Sequence, residues 1–330
     1  MSRRLKLRLG LLFLLIVVLG AAALWLFGPR EPVDVTIRFD PASIGRDPDL
    51  YLSRQETCVP GIGPQTAKEI VWAYPASRAK TPLALVYVHG FSGDKREMAP
   101  VPQEVSRRLG ANLYLTRLSG HGGDLADLAE PTANDWLNDL AEAVGIARHL
   151  GERVVVIGTS NGGALASWGA ALPGFMEGVD GLVLISPNYR INDWRAPLLT
   201  APYGRDVVGF LTGGTLDLSL PAMPGGAPQT VSLPSDALLP MAALTSHVRG
   251  LDFSAIGLPA LFLYSPNDQI VDPLETERVI QRWGGPSEVL LVPQTSDPTG
   301  HMLAGDMFSP ATTGIVVDAI AGWIERLEVR

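Results

Sequence analysis

The sequence predicts an α/β fold, a doubly wound and mostly parallel sheet with helices on both faces, preceded by one apolar N-terminal helix. Three observations predict it. Short β-branched or apolar runs recur along the chain, stretches of helical periodicity lie between several of them, and Leu9 to Phe27 is a long run without a charge.

The N-terminal run comes first. At about 1.5 Å per residue it spans roughly 28 Å, close to a hydrocarbon core about 30 Å thick. Arg3, Arg4, Lys6 and Arg8 precede it, and such a cationic flank stays cytoplasmic. Residues 1–30 are therefore expected to anchor the chain in a membrane, with everything after Gly28 on the far side. The competing expectation is a signal segment cleaved at Ala21-Ala22-Ala23, which would leave an apolar mature end at Leu24-Trp25-Leu26-Phe27. Both readings export the body.

Eight strands are expected next, at Val33 to Phe39, Glu69 to Tyr74, Leu83 to His89, Asn112 to Arg117, Arg153 to Thr159, Gly181 to Ser186, Ala260 to Tyr264 and Glu288 to Val292. Trp136, Leu137, Leu140, Val144, Ala147 and Leu150 recur at helical spacing, opened by Pro131-Thr132 and closed by Gly151. Ile315 to Leu327 gives a last amphipathic helix. Strands separated by helices imply parallel pairing. One stretch breaks the rhythm: residues 187–257 are rich in proline and carry the glycine pairs Gly213-Gly214 and Gly225-Gly226. It reads as a lid inserted between two halves of one core, residues 31–186 and 258–330.

Composition narrows the function. Of 330 residues, 46% are hydrophobic and 18% charged, too apolar for a disordered chain. The formal net charge of −8 argues against a nucleic-acid binder, which needs a basic field. Val59-Pro60-Gly61-Ile62-Gly63-Pro64-Gln65-Thr66-Ala67 is similar to the hairpin of helix-hairpin-helix DNA-binding modules, but without that field it reads better as a turn before the next strand. Cys58 is the only cysteine, so no internal disulfide or multi-cysteine metal site is possible.

The chemistry starts at Gly158-Thr159-Ser160-Asn161-Gly162, a buried strand turning tightly into a helix. A serine there takes a strained backbone that lifts its hydroxyl above the strand end. A serine nucleophile needs a base. Of the five histidines, His301 is the best candidate, in a loop after the last strand. His149 lies mid-helix, His247 in the insertion, and His89 and His121 in loops after strands. The acid is expected between serine and base, and Asp268 leaves the strand Leu261 to Tyr264 through a turn. Asp272 and Asp297 are its rivals. Oxyanion donors are expected at the main-chain N–H groups of Phe91 and Asn161.

Together these residues resemble the α/β-hydrolases, which combine an early H-G-x turn, a G-x-S-x-G elbow, a later acid and a late histidine. Here the counterparts are His89-Gly90-Phe91, Gly158 to Gly162, Asp268 and His301. Arg117-Leu118-Ser119-Gly120-His121-Gly122 and Tyr264-Ser265-Pro266-Asn267-Asp268 look like the monoacylglycerol lipase and bacterial carboxylesterase branch. The resemblance implies hydrolysis of a small-molecule carboxylic ester through an acyl-enzyme on Ser160, with no metal or organic cofactor. Thioesterases, amidases and peptidases use the same machinery, and a non-catalytic binding protein can keep the fold. His121, Phe210 and Leu211 are expected to contact substrate. The insertion's Val207, Val208, Phe210, Leu211, Leu216, Leu218, Leu220, Met223 and Met241 are expected to roof the crevice with apolar surface.

Overall fold

A computed structural model describes residues 3–220 and 229–327. Met223 and the pair Gly225-Gly226 lie outside the described residues. Among the described residues, nine strands form two sheets. The main sheet contains β1 (Glu69–Val71), β2 (Thr81–Val88), β3 (Asn112–Leu115), β4 (Gly151–Thr159), β5 (Val179–Ile185), β8 (Ala260–Tyr264) and β9 (Ser287–Leu291), in the order β1-β3-β2-β4-β5-β8-β9. Every neighbouring pair is parallel except β1 with β3. β6 (Thr215–Leu220) and β7 (Gln229–Pro234) make a separate antiparallel hairpin.

The helices are α1 (Arg3–Phe27), α2 (Pro48–Thr57), α3 (Val101–Leu109), α4 (Ala133–Leu150), α5 (Asn161–Ala171), α6 (Pro197–Thr200), α7 (Gly204–Thr212), α8 (Leu238–Arg249), α9 (Pro273–Arg282) and α10 (Pro310–Leu327). α1 is the expected apolar helix, and Arg4–Phe27 is long and apolar enough to cross a membrane, with none of it buried in the fold. Such a helix suits an anchor and a signal sequence equally.

Burial on both faces makes the central strands read as continuous apolar runs. In β2, Ala84, Val86 and Val88 join one core cluster with α4 and α5, while Leu83, Leu85 and Tyr87 join another with α3 and α10. α4 begins as the sequence predicts: the Thr132 side chain accepts the Asp135 N–H and the Asp135 carboxylate accepts the Thr132 N–H.

Val33 to Phe39 is not a strand. The segment runs along α4, and two asparagines of that helix serve its backbone in place of a neighbouring strand. Asn138 Oδ1 accepts the N–H groups of Arg38 (2.6 Å) and Phe39 (3.0 Å). Asn134 Nδ2 donates to the carbonyls of Asp34 (2.7 Å) and Thr36 (3.0 Å). Gly145 leaves the room that Phe39 and Ile44 occupy; a Cβ there would sit 3.0 Å from the Phe39 ring. A buried polar cluster fastens the rest of the N-terminal extension, with Arg117 paired to Glu56 in two hydrogen bonds of 2.9 and 2.8 Å and Lys68 paired to Glu142.

The decisive feature for function is the order reversal between β3-β2 and β4-β5. The chain leaves β2 toward β3 on one side and reaches β4 on the other, which opens a crevice at the carboxyl ends of β2 and β4. His89-Gly90-Phe91 and Ser160 both emerge there.

Asn138→Ala should leave the Arg38 and Phe39 N–H groups without their acceptor and cost about 1–2 kcal/mol. Denaturant titration of the variant checks this, and unchanged stability would show that the extension is not held by these amides.

Candidate active site

Ser160 follows β4 directly and has φ 51° and ψ −114°, a conformation sparsely populated for residues with a side chain. Such a backbone costs roughly 1–3 kcal/mol and persists only where its surroundings dictate it. They do so from two sides. The Ser160 N–H donates to Ile185 O (2.8 Å), and its carbonyl accepts from Asn188 N (2.9 Å) and from Gly163 N and Ala164 N (both 3.1 Å). The flanking glycines permit the close approach: a Cβ on Gly158 would sit 2.5 Å from Gly162 O, and one on Gly162 would sit 2.1 Å from Val88 O. Neither glycine can carry a side chain without moving β2 or α5.

His301 and Asp268 come together at the same edge of the sheet. His301 Nδ1 lies 2.7 Å from Asp268 Oδ2, and both residues are buried. The other carboxylate oxygen, Oδ1, accepts the N–H groups of Ile270 (2.8 Å) and Val271 (2.9 Å), which fixes the acid against β8. Ser186 Oγ donates to His301 O (2.7 Å), so the histidine loop is tied to the residue following the one that binds Ser160 N–H.

The two rival acids have other partners. Asp297 is buried beneath the same loop, where Oδ2 accepts the main-chain N–H groups of His301 (3.0 Å) and Met302 (2.8 Å) and the Thr299 hydroxyl (2.6 Å). It shapes the loop and does not touch the imidazole ring. Asp272 caps α9 by accepting Leu274 N–H (3.0 Å) and lies 3.5 Å from Arg190.

Beside the elbow, the turn after β2 is held by two buried histidines. His89 Nε2 accepts Leu118 N–H (3.0 Å), and Nδ1–H donates to Gly90 O (2.9 Å). His121 Nε2 accepts Ser92 N–H (3.1 Å), and Nδ1–H donates to Ser119 O (3.0 Å). Each ring uses one nitrogen as acceptor, which requires the neutral imidazole. Burial pushes both down, His89 to about 4 and His121 to about 3, with the neighbouring His89 adding to the shift of His121. Glu97 holds the same turn from below. Its Oε1 accepts Gly90 N–H and Tyr87 O–H, both at 2.7 Å, and burial pushes this carboxyl up to about 7. Among the described residues, the main-chain N–H groups of Phe91 and Asn161 have no acceptor.

The three expected substrate contacts differ in burial. His121 is buried with both ring nitrogens committed to the loop, so it is a prop. Phe210 is 89% exposed and Leu211 64% exposed on α7, so neither is covered by other side chains. The apolar surface that does reach the turn comes from later in the insertion: Leu233, Ala237 and Leu238 cluster with Leu128 and with Phe91 itself. Two polar residues beside the serine escaped the sequence reading. Glu97 carries no local signal that distinguishes it from a surface acid. Asn188, whose Nδ2 donates to Asn161 Oδ1 (3.3 Å), stands just past the carboxyl end of β5, a position that could have marked it. His247 stacks near Trp168, ring centroids 4.7 Å apart, away from this cluster. Among the described residues, no group of three or more His, Cys, Asp or Glu is arranged to hold a metal ion.

Comparison with solved structures returns hydrolases of the same architecture. One of two metagenome-derived lipolytic enzymes aligns with a TM-score of 0.65 and 20% identity, covering 80% of this chain and 99% of its own. A soluble variant of the monoglyceride lipase of Saccharomyces cerevisiae, bound to a substrate analogue, aligns with a TM-score of 0.61 and 12% identity, covering 79% and 91%. The monoacylglycerol lipase of Paleococcus ferrophilus aligns at 0.54 and 14%, covering 79% and 98%. At these identities the likeness is one of fold. A search of curated proteins by sequence finds no match. The sequence itself matches the profile of the alpha/beta hydrolase family across residues 85–311, and with the sheet order and the turn at Ser160 this establishes that the chain belongs to that family.

Proposed function

We propose that this chain is a serine hydrolase that cleaves carboxylic esters of apolar, short to medium acyl groups, held at a membrane by α1 with its catalytic body on the extracytoplasmic side. The observation that carries the reading is the buried His301–Asp268 pair, 2.7 Å apart, at the sheet edge from which the strained Ser160 emerges. Lipolytic and monoacylglycerol lipase activities among proteins of the same fold support an ester substrate.

In this mechanism Ser160 Oγ attacks the ester carbonyl and His301 Nε2 takes its proton. Asp268 accepts the Nδ1–H of His301, fixes the tautomer and stabilises the imidazolium that forms. The N–H groups of Phe91 and Asn161 receive the developing oxyanion, an interaction worth about 3–4 kcal/mol per donor in comparable enzymes. His301 then protonates the leaving alcohol, and water releases the acyl group by the same path in reverse. Leu233, Leu238 and Phe91 supply apolar surface for the acyl chain.

A series of p-nitrophenyl esters from acetyl to octanoyl tests both the chemistry and the class. Each methylene buried contributes about 0.8 kcal/mol, so kcat/KM should rise a few-fold per carbon until the site is full. Flat kinetics would reject the apolar acyl site. Ser160→Ala should abolish turnover with an unchanged melting temperature, whereas near-normal turnover would remove Ser160 from the mechanism. Asp268→Asn should lower kcat on the order of 10⁴-fold. A comparable loss in Asp272→Asn, with Asp268→Asn unaffected, would reassign the acid.

The buried histidines set an acid limit. Unfolding frees His121 to take a proton below its ordinary value near 6.5, while the folded protein keeps it neutral down to about 3. Its contribution to stability is therefore complete above about pH 6.5 and is lost as the pH falls from there. His121→Asn has no such titration. The stability advantage of wild type over this variant should shrink by about 1 kcal/mol per pH unit below 6.5. A constant difference between pH 7.5 and 4.5 would show that His121 titrates normally in the fold.

A further inference from the structure

The exit of α1 is fastened to the insertion at three points. Gly28 is buried against Pro202 and Tyr203, so closely that a Cβ there would sit 2.6 Å from the tyrosine ring. Tyr203 N–H donates to Pro29 O (2.8 Å), and Tyr203 itself is held at φ 58°, a left-handed conformation that a tyrosine adopts only under constraint. Glu31, whose side chain is 9% exposed, pairs with Arg205 at 2.9 Å. At the same end of α1, Arg30 Nη2 donates to Trp25 O (2.6 Å), and its guanidinium lies 5.8 Å from the Trp25 ring. Arginine beside tryptophan is the pattern of a helix leaving the hydrocarbon for the headgroup layer.

Tyr203 also opens an apolar stripe. Tyr203, Val207, Phe210 and Leu211 are spaced i, i+4, i+7 and i+8, which places them on one face of α7. Their exposures are 39%, 39%, 89% and 64%. Val208, on the inward side, is buried, and Arg205 lies on the face opposite the stripe. An exposed stripe of this kind asks for an apolar partner. The sequence pattern expected these residues to need an apolar neighbour, and the described residues of the chain leave them uncovered.

We infer that the Tyr203-Val207-Phe210-Leu211 face of α7 is an interfacial surface that rests in the same bilayer that α1 crosses. The occupant follows from continuity: the stripe starts at the residue that packs against the end of the apolar helix, so a membrane surrounding α1 ends beside α7. A helix with such a face lies in the plane of the interface with its apolar side about 5–10 Å into the headgroup and acyl boundary. The insertion would then meet ester substrates at the lipid surface. This inference rests on the membrane-anchored reading of α1 and is independent of the catalytic assignment.

The test uses the full chain in phosphatidylcholine vesicles. Cys58, which is exposed, is first replaced by serine, and single cysteines at Phe210, Leu14 and Glu152 then carry an environment-sensitive fluorophore. Leu14 lies mid-way along α1, and Glu152 lies at the opposite end of the sheet from the crevice. With nitroxide lipids, the label at 210 should shift to the blue and lose about half of its intensity to a shallow nitroxide, as a residue at the acyl boundary does. The label at 14 should be quenched by a deep nitroxide and the label at 152 by neither. A label at 210 that behaves like that at 152 while 14 is quenched overturns the inference and spares the anchor. Protection of 210 from aqueous iodide without quenching by lipid would mean that a second copy of the chain covers the stripe, which also overturns it. Loss of the label at 14 from the vesicles would remove the anchor and the inference together.

Discussion

The backbone of Ser160 is the constraint on which the active region depends. Its left-handed φ is unfavourable for a serine, and the structure meets the cost by crossing β4, α5 and β2 at distances only glycine allows. Once Gly162 rests on Val88 O, the end of β2 has a fixed position relative to the hydroxyl. The turn at His89-Gly90-Phe91 starts from that end, so the Phe91 N–H is placed by the same packing that strains the serine. The His301 loop inherits its position as well, because Ser160 N–H binds Ile185 and the next residue, Ser186, binds His301 O.

Around this point the buried polar groups differ in which of their atoms the surrounding backbone and side chains claim. His89 and His121 are kept neutral by desolvation, and each spends both nitrogens on loop backbone. Asp297 spends its carboxylate on three donors of the histidine loop. Only His301 has its Nδ1 satisfied by a carboxylate in a way that leaves Nε2 uncommitted among the described contacts. Three histidines in similar loops thus differ in chemistry because of their partners, not their residue type.

That distinction explains what could be read from the sequence. The buried strands were legible because two-sided burial writes a continuous apolar run, and the elbow was legible because its glycines are demanded by contact. Asp268 could be ranked above Asp272 and Asp297 from its place just after a strand. The role of His121 could not be ranked, since nothing local says which nitrogens a distant Ser92 or a nearby Ser119 will claim. The segment Val33 to Phe39 has strand composition, but its hydrogen-bond partners are Asn134 and Asn138, about a hundred residues on. Phe210 and Leu211 were correctly seen as apolar, and the fold leaves both exposed. A side chain's hydrophobicity states that it needs a cover and says nothing about which cover it finds.

The insertion joins the apolar helix and the turn at Phe91 through few intermediates. Arg205 bridges Glu31, just beyond α1, and Asp236. The next residues after Asp236, Ala237 and Leu238, pack with Leu128 and Phe91, whose main-chain N–H is one of the two unpaired donors. The links are not of equal strength. The Arg205–Asp236 pair is half-exposed and is worth at most about 1 kcal/mol. The packing of Gly28 on Tyr203, the main-chain hydrogen bond to Pro29 and the buried side of Glu31 carry more, because displacing them uncovers apolar surface or strands a buried polar group. The connection between α7 and the segment over Phe91 does not rest on that ion pair alone: β6 pairs with β7 from Thr215 opposite Pro234 to Leu220 opposite Gln229, and Ser235 N–H donates to Gly214 O (3.1 Å), so main-chain hydrogen bonds join α7 to that segment as they join Pro29 to Tyr203.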